Sequence, residues 1–106
     1  MECESIIKII LPAVRVSVSK ALIAHGLTQT EVADKLGIVQ AAVSKSVTGK
    51  HSKKIEKLSK YITNKGLADE IIKSILAGKQ SSMISTKIDR LCESLLNNTA
   101  AMRAIS

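Results

Sequence analysis

The stretch from Leu27 to Lys50, LTQTEVADKLGIVQAAVSKSVTGK, leaves the chain little choice of local structure. Thr28 followed three residues later by Glu31 is a capping box, in which the hydroxyl accepts a backbone N–H of the first turn and the carboxylate reaches back to the N–H of Thr28. Leu27 before the cap and Val32 within the first turn are spaced as the accompanying hydrophobic staple. Val32, Ala33 and Leu36 then share one helical face, and Glu31 and Lys35 stand four apart in the favourable order on another. Gly37 ends this helix, because the residue after the last apolar position commonly needs φ > 0. A second helix is expected from about Gln40 to Thr48, with Val43 and Val47 inward and Ile38 covering the turn. Two helices joined by so short a turn cross steeply. The crossing needs a small side chain, and Ala33 lies opposite Val43 to supply it.

The face of the second helix turned away from that crossing holds Gln40, Ala41, Ser44 and Lys45. It is polar and mostly small, and it begins with an amide, a group that pairs in bidentate fashion with adenine in the major groove. Gln29, Ala33, Gly37, Ile38, Gln40, Val43 and the Gly49-Lys50 pair together resemble the helix-turn-helix of the phage repressor and Cro family, the xenobiotic-response-element type. Extended upstream, CESIIKIILPAVR together with QAAVSK is similar to small archaeal predicted transcriptional regulators. The resemblance covers roughly residues 3–60. It implies an all-α, compact repressor-like bundle whose second short helix reads double-stranded DNA, with Gln29 meeting the DNA backbone at a helix end that favours anions. Two positions depart from the family pattern. Val39 stands where Ser or Thr usually caps the recognition helix, and Ser46 where an apolar or aromatic side chain is common.

The charge distribution points the same way. The net charge is +7, yet residues 1–44 hold four basic and four acidic groups, and residues 66–106 hold five and four. Residues 45–65 carry seven lysines against Glu56 alone. The excess therefore starts inside the second short helix and continues just beyond it, where phosphates would lie. Lys50, His51, Lys53 and Lys54, together with Thr28 and Gln29, are the candidate phosphate contacts, and Gln40, Ala41, Ser44 and Lys45 the candidate base contacts. Tyr61 is the only aromatic residue, which disfavours single-strand binding by base stacking and an RNA-recognition sheet.

A length of 106 residues suits a single domain, expected here as a DNA-binding unit over 1–79 followed by a C-terminal helix over 80–106. Residues 5–25 are rich in β-branched side chains, and VRVSVS alternates with period two, which permits a strand. A helix accounts for more of the pattern: Ile7, Leu11, Val14, Val18 and Leu22 form a stripe, and Gly26 closes it. Pro12 either starts the regular part of this helix or kinks a longer one. With Ile6, Ile9, Ile10 and Val16 off the stripe, the helix is either central or shared with a second subunit. Ile55, Leu58 and Ile62 mark a further helix capped by Ser52 and ended at Gly66. Ile71, Ile72, Ile75 and Leu76 mark another, closed by Gly78. From Ser82 onward, Ile84, Ile88, Leu91, Leu95, Met102 and Ile105 fall on alternating four- and three-residue steps, with Asn98 in the intervening place. Such a heptad seam either folds back on its own domain or pairs with a second copy, and pairing through Ile84, Ile88, Leu91, Leu95 and Met102 is the expected use. Asn98 either sets the register of the seam or, with Asn97, ends the helix.

The remaining chemistry is sparse. Cys3 and Cys92 form neither a disulfide framework nor a closely spaced ligand pair, and they read as free thiols in a reducing cytoplasm. His25 lies at a helix C-terminus, where it partners the dipole. No catalytic triad, carboxylate pair, metal-ligand spacing or phosphate-binding glycine loop can be assembled, so no enzyme, metal or cofactor is expected. The apolar run Ile6–Leu11 is too short to span a membrane and contains Lys8, and no secretory leader is evident. The reading is a cytoplasmic, homodimeric transcription regulator whose effector, if it has one, is unspecified. The alternative is a protein-interaction module, a coactivator-like bridge or an antitoxin, that keeps the same fold.

Overall fold

In a computed structural model of the chain, residues 3–105 are described, with side chains from Ile6 onward. Every regular element among them is a helix: α1 (Cys3–Ala24), α2 (Gln29–Leu36), α3 (Gln40–Thr48), α4 (Lys53–Lys65), α5 (Asp69–Leu76), α6 (Ser81–Leu96) and α7 (Thr99–Ala104). The β-branched, alternating run around VRVSVS lies within α1. Burial on several sides there outweighs the strand propensity of its side chains. Pro12 neither starts nor ends the helix. Lacking an N–H, it leaves one intrahelical bond unmade, and contacts to neighbouring helices on most sides of α1 hold the segment together.

α1 is the central element, packed against α3, α4, α6, α2 and α5. Val14, Val18 and Leu22 of the expected stripe are fully buried. Upstream of Pro12 the buried face moves to Ile10, while Ile7 is 52% exposed and Leu11 half-buried. The stripe therefore describes the second half of the helix better than the first. Ser17 also turns inward, and its hydroxyl pairs with that of Thr63 on α4 at 2.9 Å.

The capping signals act as the sequence requires. Ser52 Oγ accepts the N–H of Ile55 at the start of α4, and Gly66 closes that helix. In α5, Ile71 and Ile75 are buried and Ile72 is half-buried, but Leu76 is 46% exposed because α5 ends there. An ion pair between Lys87 and Glu70, at 2.8 Å, joins α5 to α6. It holds the Glu70 carboxyl below the usual range, through the Lys87 hydrogen bond and its charge.

The expected use of the C-terminal segment needs correction. α6 lies against α1, α2 and α5, and α7 against α4. Ile84, Ile88 and Leu95 are buried in the same core as Ile10, Leu22, Val43 and Ile62, with Leu91 and Met102 half-buried beside them. Residues on both sides of position 79 thus share one core, and the heptad residues are spent on their own chain. The Asn97-Asn98 pair makes this possible. Asn97 Nδ2 donates to the carbonyl of Glu93, and Asn98 Oδ1 accepts the N–H of Ala101 as the N-cap of α7. The chain turns at that point and brings Ala101 and Ile105 inward. Asn98 is a cap and does not set the register of a seam.

Candidate nucleic-acid interface

The site is built on the α2–α3 corner. Thr28 Oγ1 accepts the N–H of Glu31 at 3.1 Å, and Glu31 Oε1 accepts the N–H of Thr28 at 3.0 Å. These bonds fix where α2 begins. The hydrogen bond from the Thr28 backbone, followed by that with its side chain, keeps the Glu31 carboxyl below its ordinary range. At the other end, Gly37 has φ 68°, where a side chain would be strained. The Ile38 N–H reaches the carbonyl of Ala33 at 3.0 Å. That wrapped turn sets the angle between α2 and α3. At their crossing Ala33 and Val43 are both buried.

With Val43 facing inward, α3 presents Gln40, Ala41 and Lys45 as exposed residues and Ser44 as half-buried. Val39 precedes them without a side-chain cap and is 71% exposed. Nothing bulky shields the start of this helix. Gln40 Nε2 donates to Gln29 Oε1 at 3.4 Å, so the first residues of α2 and α3 meet on the exposed side. Linear spacing predicts a role for each glutamine separately, and only the fold makes them neighbours. Thr28 adjoins this corner; its oxygen is used as an acceptor, which leaves the hydroxyl proton available to an anion.

The basic residues lie toward the other end of α3. Lys50 is exposed in the loop after it, and Lys53 and Lys54 are exposed in the first turn of α4. A helix N-terminus already carries partial positive charge, so two lysines there raise the local potential further. His51 is placed differently from its neighbours. It is half-buried, with Nε2 3.2 Å from the carbonyl of Ser46, and it pins the loop to the end of α3. Ser46 is itself buried, and its hydroxyl donates to the carbonyl of Ala42 at 2.9 Å. The polar group at this usually apolar position is thereby satisfied within its own helix.

Lys45, Lys50 and His51 also line a cleft of about 310 Å³ whose opposite wall is Pro12, Arg15 and Val16 of α1. Arg15 stands off the apolar stripe of α1, a position that linear spacing gives to solvent. In the fold it adds a cation beside the end of α3, a juxtaposition across thirty residues that no local pattern signals.

A short supporting helix, a tight glycine turn and a second helix with an open polar face, flanked by lysines, define a helix-turn-helix nucleic-acid-binding unit. Residues 18–64, from the middle of α1 almost to the end of α4, match the model of the helix-turn-helix family of the Cro and phage-repressor type. The family is one of DNA-binding transcription regulators and is not typically enzymatic. No curated protein and no solved structure matches the chain. Among the described residues, no helix is long and apolar enough to cross a membrane.

Proposed function

We propose that this protein is a sequence-specific transcription regulator that binds double-stranded DNA as a homodimer, with α3 lying in the major groove. Gln40 and Ser44 are the main base-reading groups, with Ala41 offering a small apolar contact and Lys45 reaching a base edge or a phosphate. Thr28 and Gln29 hold the backbone at the start of α2, and Lys50, Lys53 and Lys54 hold it at the start of α4, with His51 positioning the loop between. The observation that carries this reading is the hydrogen bond between Gln29 and Gln40. It brings one exposed amide against the supporting helix and leaves that amide's second N–H and its carbonyl oxygen for a base. A homodimer would bind two-fold-related half-sites about 34 Å apart.

The test is a gel-shift salt series comparing the gene's own upstream duplex with an unrelated one. A regulator prefers the upstream duplex and loses affinity for both as salt rises. Equal affinity for the two duplexes at every salt concentration would instead favour the reading as a protein-interaction module.

A further inference from the structure

With the heptad residues of α6 committed to the core, a homodimer needs another surface, and the opening with the least polar lining lies on the other side of the same helix. Ile7 and Leu11 of α1 and Cys92 and Leu96 of α6 line a groove of about 270 Å³ floored by Ile10. Ile7 is 52% exposed, high for an isoleucine within a helix. Burial, and then the nearby Asp89 carboxylate, push the Cys92 thiol up against the opposing pull of Arg15, so it stays a neutral, weakly polar part of the wall.

The edges of the groove carry opposite charge. On α6, Asp89 and Glu93 line the groove directly; on α1, helical spacing sets Lys8 beside Ile7 and Arg15 one turn on from Leu11, with Arg15 near enough to act on the Cys92 thiol. None of these four charged groups has an ion-pair partner among the described residues. An apolar trough with one basic and one acidic edge is self-complementary under one particular symmetry. A two-fold axis running along the groove lays α1 of one copy over α6 of the other, so each basic edge meets an acidic edge. A two-fold running across the groove stacks α1 on α1 and α6 on α6, and like charges meet. Isologous pairing requires the first arrangement.

We infer that the α1–α6 groove is the homodimer surface, occupied by the same groove of a second copy, with Ile7, Leu11 and Leu96 at its centre and Lys8 and Arg15 of each copy facing Asp89 and Glu93 of the other. This rests on the reading of the chain as a homodimeric regulator. It replaces the heptad seam as the contact, and none of the residues lining the groove belongs to α3.

The experiment is sedimentation velocity on the full chain over a concentration series without DNA, with circular dichroism to verify folding. The wild-type chain should dimerise, and Leu11→Glu should be monomeric. Because a core-adjacent substitution can perturb folding, the deciding variants are charge reversals on the rims. The pair Lys8→Glu with Arg15→Glu and the pair Asp89→Lys with Glu93→Lys should each dissociate about tenfold or more below the wild-type affinity, since like charges then meet across the contact. Mixing the two reversed proteins should restore dimer as a heterodimer, which no rearrangement within one chain can produce. A wild-type chain that stays monomeric up to its solubility limit, a dimer indifferent to both reversals, or a mixture that remains monomeric would overturn the groove assignment. Sequence-specific DNA binding is measured separately on the same proteins. Its absence from the wild type would defeat the regulator reading whatever the oligomeric state, and its presence alongside a failed mixing test would defeat the groove alone.

Discussion

The side-chain amide of the exposed Gln40 donates to the side-chain oxygen of the half-buried Gln29 at 3.4 Å, joining the first residues of α3 and α2. At that length the bond is weak in isolation. Its effect is directional: one amide hydrogen is taken up by Gln29, and the rest of the Gln40 amide is turned outward. Replacing Gln40 with Ala should cost about 1–3 kcal/mol at a single base position of the bound site. Replacing Gln29 with Ala should weaken binding to all sequences and, in addition, lower the preference at that same base. The two effects should be non-additive by at least about 0.5 kcal/mol in a double-mutant cycle read by gel shift. Simple additivity would mean that the two glutamines act independently on the DNA.

The capping box should make α2 sensitive to acid. Thr28→Ala removes the side-chain acceptor for the Glu31 N–H and should destabilise the domain by about 1 kcal/mol. The Glu31 carboxyl is held below its ordinary value by the Thr28 backbone and side chain. A depressed carboxylate contributes stability that is complete above its unfolded value and is lost as pH falls through the folded one. Glu31→Gln should therefore lower the midpoint of thermal unfolding at neutral pH. The gap from wild type should close as the pH is taken down through and below the glutamate range. A gap that is constant with pH would show that the carboxylate is not the acceptor that matters.

The helix boundaries and the capping of this fold were readable in the sequence because they are short-range. Thr28, Gly37, Ser52 and Gly66 all act within four residues of themselves, and each begins or ends a helix where its chemistry predicts. The exposed face of α3 was readable for the same reason: Val43 faces inward, and periodicity then determines the rest. What was not readable depends on which partner an apolar stripe finds. A heptad pattern states that Ile84, Ile88 and Leu95 must be covered, and it is silent on whether the cover is another copy or α1 and α2 of the same chain. The Asn97-Asn98 turn, legible as a possible stop, decided it by bringing α7 back onto α4. The stripe on α1 failed upstream of Pro12 for a related reason, since the neighbours of Ile10 come from distant segments. The pairing of Gln29 with Gln40 and the approach of Arg15 to Lys45 and Lys50 are likewise consequences of tertiary packing.

The fold-back of α6 makes a separable prediction. Leu95 is 1% exposed within the core, so Leu95→Ala should cost about 2–5 kcal/mol, the range for a leucine removed from a packed interior. The loss should appear as a lower midpoint in urea, with the affinity of the folded chain for a second copy, read by sedimentation, unchanged. If Leu95 lay in an intermolecular seam, the variant would instead dissociate to monomer while staying folded.

Ser19 offers a prediction of the opposite sign. Its side chain is fully buried in α1, and its Oγ is without a hydrogen-bond partner, alone in this among the described residues. An unsatisfied buried hydroxyl costs about 1–3 kcal/mol of desolvation, and alanine removes the group without enlarging the side chain. Ser19→Ala should raise the urea midpoint at unchanged slope. A destabilised variant would mean that the hydroxyl is satisfied in solution, by a bound water for example.

Lys53 should show a conflict between stability and binding. It lies exposed in the first turn of α4, where the helix dipole repels a cation, and Lys54 beside it adds to the repulsion. Lys53→Gln relieves that repulsion and should stabilise the free protein by about 0.3–1 kcal/mol at low salt, an effect that fades as salt is added. The same substitution removes a group proposed to neutralise a DNA phosphate. It should weaken specific and unrelated duplexes alike and reduce the slope of log affinity against log salt by about one. An unfavourable charge kept at a helix start is what a phosphate-binding position requires, because the repulsion is relieved only when the anion arrives. If Lys53→Gln stabilises the fold and leaves the salt slope unchanged, the lysines at the start of α4 are solvated surface, and the DNA backbone takes another path across the domain.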